Sequence, residues 1–273
     1  FFYLFVGVLL VPLLSDRART LIISTYYLID SKDGLVYSRP FFRETIERNT
    51  VINQKDRVLI FLTYGQSNAA NASNFKYKTK YDVYEFWNDR IYKYKEPSLG
   101  ASGGGGSVWG LVGDKLIEAN AADKVIFMNA AVGGASMEDL AYEESGISTE
   151  FINRYKKIED VLIGIDAILF HQGESNINDS SGYEKAFMYL KSKLQDISST
   201  PIILANVSYC EGVFDDELKK IQDNLISTNK DVLRGPDTDK LLSDFRYDDC
   251  HFNKHGLDKL SDYWVNSIID VLN

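Results

Sequence analysis

The amino-acid sequence predicts an α/β fold, a three-layer α/β/α sandwich built on a mostly parallel sheet. Three observations predict it. Short apolar runs at 58–63, 125–132, 167–170 and 202–207 do not alternate with polar residues, the pattern of strands covered on both faces and therefore parallel. Amphipathic stretches of helical length lie between these runs, which implies right-handed βαβ crossovers. Small and polar residues follow the runs, and in such sheets the ligand site lies outside the carboxyl ends of the strands.

Taken in chain order, residues 1–14 (FFYLFVGVLLVPLL) form an uninterrupted apolar run. That length suits a signal-peptide core and falls short of the roughly 20 residues of a spanning helix. The run reads as a signal or membrane-anchor segment, a cleaved signal, or a buried helix. Arg17 and Arg19 just after it count against an anchor with its exported side there. Residues 15–55 are mixed and charged and read as a connector. A single folded domain is expected over 56–273. A weaker fifth apolar piece lies at 241–242, and helices are expected over 108–119, 149–163, 183–194, 215–226 and 255–272. In the last of these Leu257, Leu260, Trp264, Ile268, Val271 and Leu272 keep helical spacing. Ser181-Gly182 and Asp215 supply helix starts.

A net charge of -9 and the lack of a Lys/Arg-rich stripe argue against nucleic acid as a partner. The two cysteines, Cys210 and Cys250, have neither C-x-x-C nor Cys/His metal spacing, and no metal or cofactor is expected. They read either as unrelated buried thiols or, in an exported protein, as one disulfide. The run Gly103–Gly106 lacks the Lys-Ser/Thr of a phosphate loop and reads as a flexible loop near the site wall.

The residues after the runs carry the chemistry. They are Gly65-Gln66-Ser67-Asn68, Gly133-Gly134-Ala135-Ser136, His171-Gln172-Gly173-Glu174-Ser175-Asn176 and, later, Asp248-Asp249-Cys250-His251. No G-x-S-x-G elbow is present. A serine nucleophile needs a base within reach and a group to orient that base. His251, three residues after Asp248, meets both needs through a short turn, with Asp248 on the imidazole Nδ1 and Nε2 left for Ser67. Spacing alone favours an Asp capping the last helix, with His251 on the surface. Oxyanion donors are sought among glycine N–H groups and an Asn amide; Gly134 and Asn176 fit, beside the N–H of Ser67. His171 reads as a structural histidine, His255 as a surface one, and Asp249 as a rival to Asp248.

These four blocks in this order resemble the SGNH hydrolase superfamily. The GQSN form of the first block and the Gln172-Gly173-Glu174 form of the third resemble its sialate O-acetylesterase and acetylxylan esterase branch. The resemblance covers roughly residues 57–272. It implies a flavodoxin-like sandwich and metal-free ester hydrolysis through an acyl-enzyme, with acetylated sugars as substrates. Carried over, Ser67 is nucleophile and first oxyanion donor, Gly134 (or its rival Gly133) and Asn176 are the others, His251 is base and then acid, and Asp248 orients it. Gln66, Gln172 and Glu174 are supporting residues, Glu174 being either a second carboxylate behind the histidine or an organiser of the loop.

The expected function is therefore removal of O-acetyl groups from a carbohydrate by an exported enzyme, with an acetylated carbohydrate as partner. The runner-up is an O-acetyltransferase with the same triad, and a third reading is a catalytically silent carbohydrate-binding module. Trp109, Tyr64 and Tyr142 are the aromatics considered for stacking on sugar rings, each with a core role as the alternative.

Overall fold

The computed structural model describes residues 38–40, 43–162 and 164–272. The apolar segment at 1–14 and the connector up to residue 37 lie outside the described residues.

Strand β1 (Thr45–Ile46) and a short helix α1 (Arg48–Val51) lead into β2 (Val58–Gly65). A hairpin of β3 (Val83–Trp87) and β4 (Arg90–Lys93) follows. The crossovers then run α2 (Trp109–Glu118), β5 (Lys124–Asn129), α3 (Met137–Ala141), α4 (Ile147–Val161), β6 (Ala167–His171), α5 (Tyr183–Gln195) and β7 (Ile202–Asn206). A small hairpin, β8 (Tyr209–Cys210) and β9 (Val213–Phe214), precedes α6 (Asp216–Thr228), β10 (Val232–Asp237) and α7 (Lys254–Leu272).

The main sheet has the order β1-β4-β3-β5-β2-β6-β7-β10. Strands β3, β5, β2, β6, β7 and β10 are parallel, while β4 runs antiparallel to both β3 and β1. From β2 the chain moves toward β3 and β4, returns through β5, and crosses to β6 on the other side. β2 therefore borders the switch point where a crevice opens at the carboxyl ends.

Both faces are covered, as the unbroken apolar runs require. On one face Leu59, Phe61, Val125, Phe127 and Leu169 pack with Trp109, Leu116, Leu260 and Trp264 from α2 and α7. On the other, Tyr64 stacks on Phe151 of α4 at 3.8 Å and Phe170 meets Phe187 of α5 edge-on at 5.6 Å.

Three features depart from the sequence reading. The outer parallel strand is β10, and 241–242 is no strand; Leu241 is buried but Leu242 is exposed. β10 reads VLRGPD, and its Arg, Gly and Pro hide the apolar pattern of an edge strand that tolerates them. The β3–β4 hairpin turns on Asn88-Asp89, both at positive φ, the conformation two-residue hairpins demand. Part of the connector is structural as well: β1 pairs with β4, and Arg43 forms an ion pair with the buried Glu85.

Candidate active site

The first piece of the site is set by a glycine. Gly65 ends β2 at φ 137°, and a Cβ there would stand 2.0 Å from the His171 carbonyl oxygen, so only glycine fits. The next turn is tied to β6 and its loop. Gln66 N–H donates to the His171 carbonyl at 3.1 Å. Gln66 Oε1 accepts from the N–H groups of Ser175 at 2.9 Å and Gly173 at 3.4 Å. Ser67 thus follows a central strand and is buried.

The second piece is the loop before α7. An antiparallel bridge between Arg246 and Phe252 closes it, and Tyr247 N–H donates to the His251 carbonyl at 2.9 Å. Inside, Asp248 Oδ1 accepts from the N–H groups of His251 at 2.6 Å and Cys250 at 3.1 Å. The other oxygen, Oδ2, lies 2.7 Å from His251 Nδ1. His251 Nε2 lies 2.9 Å from Ser67 Oγ. Asp248 therefore does not cap the last helix, whose first turn is capped by Asn253 Oδ1 accepting from Gly256 N–H at 2.9 Å; its carboxylate closes its own turn and holds the imidazole. Burial pushes the Asp248 carboxyl up, but the bonds from the His251 N–H, its imidazole and the Cys250 N–H outweigh this and hold it below the ordinary aspartate range. Asp249 points elsewhere, to the Tyr209 hydroxyl.

Around this chain the other expected residues take distinct positions. The N–H groups of Ser67 and Gly134 have no acceptor among the described residues. Gly134 sits at φ 76° with open space where a Cβ would be. Its rival Gly133 donates its N–H to Ser102 Oγ at 2.6 Å. Asn176 is buried and fully engaged: Nδ2 donates to Glu138 Oε2 at 3.0 Å and to the Asp179 carbonyl at 3.2 Å. Its Oδ1 accepts from Met137 N–H at 2.8 Å and Gln172 Nε2 at 2.7 Å. The side chain expected to face an oxyanion is therefore turned to the start of α3.

Glu174 lies at the back of the site. Its Oε1 accepts from Asn68 Nδ2 at 2.7 Å and lies 3.3 Å from Nε2 of the fully buried His171. Burial raises the Glu174 carboxyl, yet His171, Asn68 and the Arg246 charge bring it below the ordinary glutamate range. Glu174 has no hydrogen bond to His251; it reaches that loop through Asn68. Asn68 Nδ2 also donates to the Cys250 carbonyl at 3.1 Å, and its Oδ1 accepts the Phe252 N–H at 3.3 Å. Arg246, buried, donates to the carbonyls of Leu241, Cys250 and Thr238. A disulfide joins Cys210 to Cys250, tying the β8–β9 hairpin to the same loop. Asn68, Ser102 and Arg246 received no role from the sequence. Only Asn68 carried a signal, its place beside Ser67.

No group of three or more His, Cys, Asp or Glu side chains among the described residues is placed to hold a metal ion. At the carboxyl end of the sheet the site brings together the Ser67 hydroxyl, the His251 imidazole and the N–H groups of Ser67 and Gly134. A family model described as carbohydrate esterase, sialic acid-specific acetylesterase matches residues 57–270.

The chain belongs to that family of carbohydrate esterases.

It is thereby a carboxylic ester hydrolase. Among solved structures, a protein of Arabidopsis thaliana is 16% identical with a TM-score of 0.65, covering 79% of this chain and 99% of that one. The structure of NanS is 10% identical with a TM-score of 0.58, covering 81% and 99%. A carbohydrate acetylesterase from Xanthomonas citri is 12% identical with a TM-score of 0.51, covering 78% and 56%. At these identities the likeness is one of fold. No curated protein matches the chain. In this esterase two of the aromatics considered for sugar stacking are core residues. Trp109 is fully buried with Nε1 donating to the Ala69 carbonyl at 2.7 Å, and Tyr64 is fully buried with its hydroxyl donating to the Leu140 carbonyl at 2.8 Å. Tyr142 is half-buried against Tyr189.

Proposed function

We propose that this chain removes O-acetyl groups from a carbohydrate through an acyl-enzyme on Ser67. The observation that carries the reading is the continuous hydrogen-bonded chain Ser67–His251–Asp248. His251 Nε2 takes the serine proton as Oγ attacks the ester carbonyl. The imidazolium that forms is held by the ionised Asp248. The N–H groups of Ser67 and Gly134 receive the oxyanion. His251 then returns the proton to the departing sugar oxygen, and a water activated by the same nitrogen releases acetate. Asn176 acts from behind, fixing the start of α3 after the glycine turn. Export fits the chain, since a disulfide persists in oxidising compartments.

Hydrolysis of an acetylated sugar by the native chain and by Ser67→Ala tests the proposal. Loss of the nucleophile is expected to cost about 10⁴-fold or more; near-full activity in Ser67→Ala would refute it. Weighing the products with a glycan present separates hydrolysis from transfer of the acetyl group to a sugar hydroxyl.

A further inference from the structure

We infer that Tyr247 is a stacking platform for the pyranose ring that carries the acetyl group. The inference rests on the proposed acyl transfer and goes beyond it, because it places the sugar. The direction of that reaction fixes where the alcohol lies. The acyl carbon is attacked by Ser67 Oγ, and the leaving oxygen must receive its proton from His251 Nε2. The sugar half of the ester is therefore on the His251 side of the nucleophile, while the carbonyl oxygen faces the N–H donors.

Tyr247 stands on that side. Its ring lies beside the His251 ring with centroids 5.9 Å apart and planes 24° from parallel. It is 45% exposed, and among the described residues it is the exposed large apolar side chain with a ring contact to the triad. The hydroxyl donates to the Ala72 carbonyl at 3.0 Å, so the ring plane is pinned between the base loop and the segment after Ser67. An aromatic with one end anchored and its body exposed suits a ligand that is apolar on one side and wet on the other. A pyranose is such a ligand, with C–H bonds on one face and hydroxyls around its rim.

The test compares Tyr247→Leu, which removes the ring, with Tyr247→Phe, which keeps the ring and loses the hydroxyl's contacts with Ala72 and Asp248. Each is assayed on a monoacetylated methyl pyranoside and on ethyl acetate, an ester of the same acid with no ring. The reading is the ratio of kcat/KM for the two esters. Leu is expected to lower the ratio about three- to tenfold, and Phe to preserve it. An unchanged ratio in Tyr247→Leu overturns the inference, whether both rates fall together or neither moves. Saturation-transfer NMR of methyl pyranoside on the Ser67→Ala chain gives a second reading. Signal lost on adding Tyr247→Leu and kept on adding Tyr247→Phe supports the platform; signal indifferent to both overturns it. This reading stands even where neither ester is hydrolysed, a result that would defeat the esterase proposal itself.

Discussion

Asn68 donates its side-chain amide to the Cys250 carbonyl at 3.1 Å, so the residue after Ser67 holds the peptide just before His251. On the far side of His251 the same side chain accepts the Phe252 N–H. Glu174 Oε1, accepting from the same Nδ2, sets which way the amide faces. His251 is thus framed from both sides by one Asn whose orientation is fixed by a buried carboxylate.

Asn68→Ala removes this frame without substituting Ser67, His251 or Asp248, and frees the His251 loop to shift. Displacement of a catalytic group by about 1 Å costs on the order of 10²-fold. The expected outcome is a 10- to 100-fold fall in kcat with KM changed little, measured on an acetyl ester. A variant with native kcat would mean that the loop holds His251 without Asn68.

Asn176 calls for the opposite signature. Its amide is occupied by Glu138 and Asp179 and its carbonyl by Met137 and Gln172. Asn176→Ala strands two buried donors, the Met137 N–H and the Gln172 amide, and each buried polar group left unsatisfied costs about 1–3 kcal/mol. The melting temperature should fall by several degrees, with the rate falling less than the 10²–10³-fold typical of a lost oxyanion donor. A full donor-sized rate loss at unchanged melting temperature would return Asn176 to the oxyanion.

The difference between Asn176 and Ser67 also marks how far the sequence could be read. Apolar runs betray buried parallel strands, and the turns after them betray the site, because strand direction fixes which end those turns share. The strands at 58–63 and 167–170 are therefore legible, and so are the positions of Ser67 and the glycine pair in the turns after their strands. Side-chain direction within a loop is another matter. Spacing could not say that Gly133 N–H is taken by Ser102, nor that Tyr247 lies against His251, since both contacts join segments far apart in sequence or depend on one tight turn. The β3–β4 hairpin was within reach: two β-rich stretches flank Asn88-Asp89, a two-residue turn signal. β10 was not, because an edge strand can carry Arg, Gly and Pro.

The Cys210–Cys250 disulfide closes a separation of 40 residues. A cross-link of that span is worth about 4 kcal/mol on the chain-entropy model. Cys250 also donates its N–H to Asp248 and gives its carbonyl to Asn68. Replacing both cysteines by serine should therefore lower the melting temperature and kcat together. If thermal melting and kinetics both match the native chain, the bridge neither stabilises the fold nor steadies the base.

Glu96 gives the fold a pH dependence away from Ser67, His251 and Asp248. It is buried, accepting from the Tyr94 hydroxyl at 2.9 Å and from the Ser107 N–H at 3.1 Å. Burial raises its carboxyl to about 8 against the pull of those bonds, and the nearby Glu85 adds to the rise. In the unfolded chain the group titrates near 4.5. Between about 4.5 and about 8 the folded chain keeps a proton that the unfolded chain has lost, so stability falls as pH rises through that window. Glu96→Gln keeps an acceptor for Ser107 and Tyr94 and has no proton to lose. Melting temperatures from pH 5 to pH 9 should show the native chain losing ground to Glu96→Gln as the pH rises, with the gap widest above pH 8. Parallel curves across that range would mean that Glu96 is ionised in the fold at neutral pH, and that its bonds from Tyr94 and Ser107 outweigh the cost of burying its charge.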